Sequence, residues 1–353
     1  MSRVERSAIR RIAGLDSNLH RGLTVSRVTM AFLTVAFGTA ALIDLRVPLQ
    51  AQAAVYLIGM VALNLPHGGY EHFENLRRRA RDVQWRYIGA YLLLVAGFLG
   101  LFFFAPVFGL ALAIAVACLK GGIGGVHVLD ATTGTTHLQT RPQRLLAAAV
   151  RGGAVMMVPI FAHPGTFQTF SGLMVGIFDP GAMAPLARHF GVTRVLIGGA
   201  FVVMATAHIA LGAVRGGDTS WRLDVVETGL LTAYFAVVPV VIAVGLYFPF
   251  WYSARQVARS AAVDRPSTAG RDLLAASEPT GVALKAWGML VAGALATGAV
   301  VGAIWYLAPN PLGTGTLLTG LVAFWSVSIS IIALPHVVVG SLLDRDQGIW
   351  YVP

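Results

Sequence analysis

The sequence predicts an all-α fold, a polytopic transmembrane helical bundle of about 9–10 segments. Three observations predict it. Hydrophobic residues make up 56% of the 353-residue chain and charged residues only 12%, whereas soluble domains carry about 25% charged residues. Apolar runs recur throughout, each near the roughly 20 residues a helix needs to cross about 30 Å of hydrocarbon. The arginines gather in the short connections between those runs.

Taken in order, residues 1–27 form a basic N-terminal segment with Arg3, Arg6, Arg10, Arg11, Arg21 and Arg27. The segment lacks an apolar core followed by a small-residue cleavage site, so no cleaved signal peptide is expected. Apolar segments follow at about 28–45, 51–66, 87–104, 106–126, 145–162, 194–214, 225–251, 284–308 and 314–340. A weaker one, at about 166–178, contains Gly172 and Gly176 and is short for a span. Residues 28–345 are read as a single membrane domain and 346–353 as a tail, with the stretch from Asp264 to Pro279 as the principal polar loop.

Arginine placement fixes the orientation. Cytoplasmic connections collect Lys and Arg, and the N-terminus, the 67–86 connection and the 252–283 connection are the richest. All three face inward only if the weak 166–178 segment counts as a crossing. The expected protein is then a multi-pass protein of the cytoplasmic membrane with about ten crossings and both termini inside.

The formal charge of +10 suits topology signals facing anionic lipid rather than nucleic acid, because no continuous basic face exists. The lone Cys118 excludes a disulfide framework and a cysteine metal site. No phosphate-cradling loop, nucleophile elbow or H-E-x-x-H motif occurs. No charged residue stands clearly at mid-membrane and no symmetric halves appear, which weighs against a transporter. Lys120 and Lys285 lie toward segment ends, not at the mid-span position a retinal Schiff base requires.

The histidines carry the chemical information. His67, His127 and His336 fall near the cytoplasmic ends of different segments, and His72 and His137 lie in the same inner connections. Neutral imidazoles gathered at one depth suit iron, zinc or copper, and Glu71, Glu74 and Asp130 lie close enough in sequence to orient them. The alternative is a set of interfacial histidines satisfied by carbonyls and water; paired with haem, His67 and His127 form a further option. His163 and His208 fall toward the opposite side and read as structural, as do His20 and His189 outside the spans. Phe102, Phe103, Phe104, Tyr247, Phe248, Phe250 and Trp251 either line a cleft for an apolar ligand or form the interfacial belt. The glycines of Lys120-Gly-Gly-Ile-Gly-Gly-Val126 point to close helix packing or an unwound turn.

Several motifs in order resemble a known family. Leu65-Pro-His-Gly-Gly-Tyr-Glu-His72 resembles the P-H-G-x-x-D-H signature of the Brp/Blh membrane proteins, which include bacterial and haloarchaeal β-carotene 15,15′-dioxygenases. Gly125-Val-His-Val128, Arg151-Gly-Gly with Val158-Pro-Ile-Phe-Ala-His-Pro164, Tyr247-Phe-Pro-Phe-Trp-Tyr-Ser-Ala-Arg-Gln256 and Leu334-Pro-His-Val337 are similar to its further motifs, in the same order. The resemblance implies a non-haem Fe(II) that activates O2 to cleave the central double bond of β-carotene into two retinals. It implies His67 and His127 as ligands. Tyr252 and Gln256 stand where the family has two more histidines, with His72 and His336 as candidate substitutes, Glu71 and Asp130 as orienting acids, and Phe248 and Trp251 against the substrate. The expected partners are the lipid bilayer, a carotenoid and O2, and no nucleic acid. A relative that binds a carotenoid or assists assembly of a pigment-containing complex without cleaving anything is the alternative, motivated by Tyr252 and Gln256.

Overall fold

A computed structural model describes residues 3–64, 81–256 and 279–343, and within these every regular element is a helix. In hydrocarbon each backbone N–H and C=O must be satisfied within the segment, which for apolar runs of this length selects helices. The elements are α1 (Arg3–Leu42), α2 (Leu49–Leu57), α3 (Arg81–Phe104), α4 (Pro106–Thr132), α5 (Arg141–Ala162), α6 (Pro164–Gly176), α7 (Ala184–Val214), α8 (Thr219–Val237), α9 (Val240–Tyr247), α10 (Pro279–Leu307) and α11 (Leu317–Leu343). Two of them continue as π-helical turns, α2 through Ile58–Asn64 and α9 through Phe248–Ser253. Prolines punctuate the chain where a missing N–H costs least, in the first turns of α4, α5, α6 and α7. Among the described residues, four helical stretches are long and apolar enough to cross a membrane by length and composition: Arg21–Leu42, Pro106–Thr132, Arg141–Ala162 and Ala184–Val214.

Contacts between side chains give the directions of the helices. Arg27 and Arg255 both reach Glu227, His137 and His208 both reach Asp224, and Gln256 lies against Gly124. These residues define one end of the bundle, called here the site end. Gly38 beside Val237, Gly109 beside Phe102, Phe102 beside Phe178, and Gly313 beside Leu173 define the far end.

This frame corrects two readings of the sequence. The run at 225–251 is two antiparallel helices, because Val238 is extended (φ −75, ψ 131) and Pro239, without an N–H, cannot continue α8. The 166–178 run is not a crossing. Helix α6 has 13 residues, about 20 Å of length against roughly 30 Å of hydrocarbon, and α5 and α7 on either side of it run in opposite directions. The two changes cancel, so among the described residues ten helices still run between the two ends.

Two hydrophobic clusters fill the bundle. One joins Tyr56, Phe98, Phe102, Leu110, Phe170, Phe324 and Ile331 from α2, α3, α4, α6 and α11, with Phe178 just after α6; the other joins Met30, Val155, Phe201, Tyr234, Phe235, Tyr247 and Trp251 from α1, α5, α7, α8 and α9 with its π-helical turn. Val244 and Phe248 of α9 touch both, which places the helix carrying Tyr252 and Gln256 at the seam.

Candidate functional site

The glycine-rich stretch of α4 is the floor of the site. Gly122 meets the backbone of α5 so closely that an added Cβ would lie 1.9 Å from Ala148 O, and Gly152 of α5 reciprocates at 1.9 Å from Cys118 O. The neighbouring glycines admit side chains instead. A Cβ at Gly124 would stand 2.8 Å from Gln256 Nε2 and 3.8 Å from the Tyr252 hydroxyl oxygen, one at Gly125 would stand 3.2 Å from Arg151 Cδ, and Gly121 faces the Tyr247 hydroxyl. The close-packing reading of these glycines is correct, and the polar neighbours explain why four are needed within one helical stretch.

Tyr252 and Gln256 are one turn apart and both lie over α4 one turn before His127. They are delivered there by the π-helical turn Phe248–Ser253, in which Pro249 withholds a backbone donor and the helix widens. The other π-helical turn, Ile58–Asn64, leads toward His67 and packs on the first one. Their helices meet where Gly59 approaches Gly245, an added Cβ falling 2.2 Å from the carbonyl oxygen. Lys120 Nζ sits 5.5 Å from the Tyr252 ring centre, and Phe248 packs on that ring at 5.9 Å. Trp251 is buried with the Arg255 guanidinium 4.3 Å from its ring centre.

Beside this floor is a group that reading the sequence missed. Asp224 and Glu227, one turn apart on α8, are fully buried. Arg151 donates to Asp224 Oδ1 from Nε at 3.1 Å and from Nη2 at 2.6 Å, and reaches Glu227 Oε2 at 3.1 Å. His137 Nε2 lies 2.9 Å and His208 Nε2 3.1 Å from Asp224 Oδ2. Glu227 also accepts from Arg27 Nε at 2.9 Å and from Arg255 Nη2 at 2.8 Å, with Arg255 Nη1 at ion-pair distance, 2.8 Å, from Oε1. Buried charge persists where partners of the opposite sign surround it, and here three guanidiniums face two carboxylates. The spacing of Asp224 and Glu227 at the edge of an apolar run was the available signal.

His208, expected at the opposite side, therefore belongs to the site end, because the chain reverses once fewer before α7. Arg151, Asp224 and Glu227 add buried charge at this end of the bundle. His163 keeps its expected place at the far end, between α5 and α6. Asp130 is bound by Arg144 and Thr135. At the rim, Asp218 caps α8 by accepting from Trp221 N at 3.0 Å, and Ser220 Oγ bridges Asp218 to His137. Hydrogen bonds from Thr136, the Trp221 amide and Ser220 hold the Asp218 carboxyl well below the usual carboxylate range. His67, Glu71, His72 and Glu74, and the side chain of His336, lie outside the described residues. Among the described residues no three His, Cys, Asp or Glu side chains are grouped to share a metal.

The sequence model of the family described as Beta-carotene 15,15'-dioxygenase matches residues 58–344. The chain belongs to this family. Two relatives from Halobacterium salinarum strains, each described as "Probable beta-carotene 15,15'-dioxygenase Brp", are 55% identical over 338 residues, 94% of this chain and 94% of theirs. A third, described as "Probable beta-carotene 15,15'-dioxygenase Blh" from the same species, is 33% identical over 337 residues, 92% of this chain and 95% of its own. No solved structure matches. In this member of the beta-carotene 15,15'-dioxygenase family, His127, the Tyr252–Gln256 face and the acids of α8 all converge at one end of the bundle.

Proposed function

We propose that the protein cleaves β-carotene, or a closely related carotenoid, at its central double bond to give retinal. The supporting observation is the convergence at the site end: the Tyr252–Gln256 face packs on the helix of His127, and the helix that precedes His67 packs on the helix that carries Tyr252. The reaction balances without a reductant. One C=C bond and one O–O bond break, two C=O bonds form, and both atoms of O2 enter the two aldehyde products.

The chemistry of the donors suits a metal, since neutral imidazoles bind iron with little charge to desolvate. His127 with His67 would hold Fe(II), with His72 or His336 as further imidazoles and Tyr252 and Gln256 bordering the site; bound there, the iron would supply activation of O2. The chain's own residues do the rest. The polyene enters laterally from the lipid, Phe248 offers it an apolar edge at the seam of the two clusters, and the buried floor of glycines excludes water. Arginine placement puts the site end, with both termini, on the cytoplasmic side.

A second reading is favoured by Tyr252 and Gln256, which stand where the family has histidines: a protein that binds a carotenoid or assists a pigment-containing complex without cleaving. Coexpression with a β-carotene pathway separates the two. Retinal in the extract supports the dioxygenase; persistent β-carotene with no retinal from folded, membrane-inserted protein rejects it. Elemental analysis of purified protein tests the ligands. Iron retained at equal stoichiometry in His67→Ala and His127→Ala overturns their assignment.

A further inference from the structure

We propose that Glu227 is a positioning residue for the candidate site, acting through Arg255 to fix the rotation of the turn that carries Tyr252 and Gln256. The inference rests on the reading of that turn as the wall of the reaction site. Arg255 immediately precedes Gln256 and follows Tyr252 by three residues, so its azimuth on the helix determines theirs. Its guanidinium is held from two directions: one face lies 4.3 Å from the Trp251 ring centre, and both terminal nitrogens sit 2.8 Å from the two carboxylate oxygens of Glu227. A hydrogen bond from Nη2 to Oε2, a second ion-pair contact from Nη1 to Oε1 and the stacked indole together restrict translation and rotation of the planar guanidinium, which a point charge would leave freer to turn.

The π-helical turn makes such a clamp necessary. Pro249 removes a donor from the backbone ladder just before the site residues, so the turn has a register its own hydrogen bonds define weakly. Glu227 is fixed in its turn by Arg27 and Arg151, on helices α1 and α5. The clamp therefore ties the site turn to three other helices. Gly124 leaves room for the Gln256 amide, since a Cβ there would stand 2.8 Å from Nε2.

The test compares Glu227→Gln and Arg255→Lys with the unaltered protein in detergent. Steady-state cleavage of β-carotene is measured together with hydrogen exchange of the 248–256 backbone. Both variants are expected to lower kcat by about 10–100-fold, as loss of an orienting partner does, with KM within about twofold. Exchange is expected to rise in 248–256 and not in α7. Unchanged kcat in either folded variant overturns the proposal, as does faster exchange spread over the whole bundle. If Glu227→Gln does not accumulate in the membrane, Arg255→Lys, which keeps the charge, decides by the same criteria. If the unaltered protein yields no retinal, the dioxygenase reading fails by itself; faster exchange confined to 248–256 then still supports the clamp, and unchanged exchange overturns it.

Discussion

Replacing Gly152 by alanine tests the contact between α4 and α5 on which the site is built. A Cβ there would lie 1.9 Å from Cys118 O, 2.6 Å from its carbonyl carbon and 3.0 Å from its Cα, whereas ordinary contact begins at 3.4 Å. All three atoms are backbone, so no side chain can rotate away and the two helices must separate by well over an ångström. Overpacking of this kind costs about 1–3 kcal/mol, and backbone opposition puts this case at the upper end. Alanine returns about 1 kcal/mol through helix preference, leaving about 2 kcal/mol of net loss. With about 2–4 °C of melting temperature per kcal/mol for larger domains, a fall of about 4–8 °C is expected. The assay is the monodisperse fraction after heating in detergent, read by fluorescence-detected gel filtration. Gly100→Ala, where an added Cβ meets nothing within 4 Å, is the control and should match or exceed the unaltered protein. A Gly152→Ala protein as stable as that control would refute the packing argument.

Three other outcomes follow from the same geometry. Asp224→Ala strips the carboxylate from Arg151, His137 and His208; breaking a buried ion pair on one side costs about 3–5 kcal/mol, so folded yield from membranes should fall sharply, and normal yield would contradict the role given to the network. Gly124→Ala places its Cβ against the flexible end of Gln256 rather than backbone, so thermal stability should stay near that of the unaltered protein while retinal production drops; unaltered production would detach Gln256 from the site. Asp218→Ala should destabilise at neutral pH, because a carboxylate with a lowered folded-state pKa contributes stability above the unfolded value, near 4 for Asp. That difference should shrink as pH falls below about 4, and a difference that widens in acid would reverse the assignment.

The bundle was legible in the sequence because apolar run length and arginine placement report directly on hydrocarbon thickness and loop side. The reversal at Val238–Pro239 was not, since an apolar run can hide a proline break when both flanking helices are equally lipophilic. Counting α6 as a crossing inverted α7, and this carried His208 to the wrong end. Joining α8 to α9 then restored the parity, so the arginine-rich connections came out on one side despite two errors. At the site, the motifs led to His127 and to the Tyr252–Gln256 face, which the structure brings to neighbouring turns. Asp224 and Glu227 escaped, and Arg151 appeared only as part of a motif, because their meaning lies in a contact between α5 and α8, and linear spacing shows only half of such a contact.

The two acids of α8 also constrain how the protein is made. A central charged residue raises the cost of inserting a helix by about 2.5–3.5 kcal/mol on translocon scales, and less toward a helix end. Asp224 and Glu227 stand in the first half of α8, and their partners Arg27 and Arg151 are synthesised earlier, whereas Arg255 follows. An emerging α8 thus finds two of its three guanidiniums already in the membrane, so its insertion depends on the prior residence of α1 and α5 beside the exit path. Truncations ending after α8 should integrate efficiently with those helices present and poorly without them, which makes the ionic centre a checkpoint on the order of biogenesis.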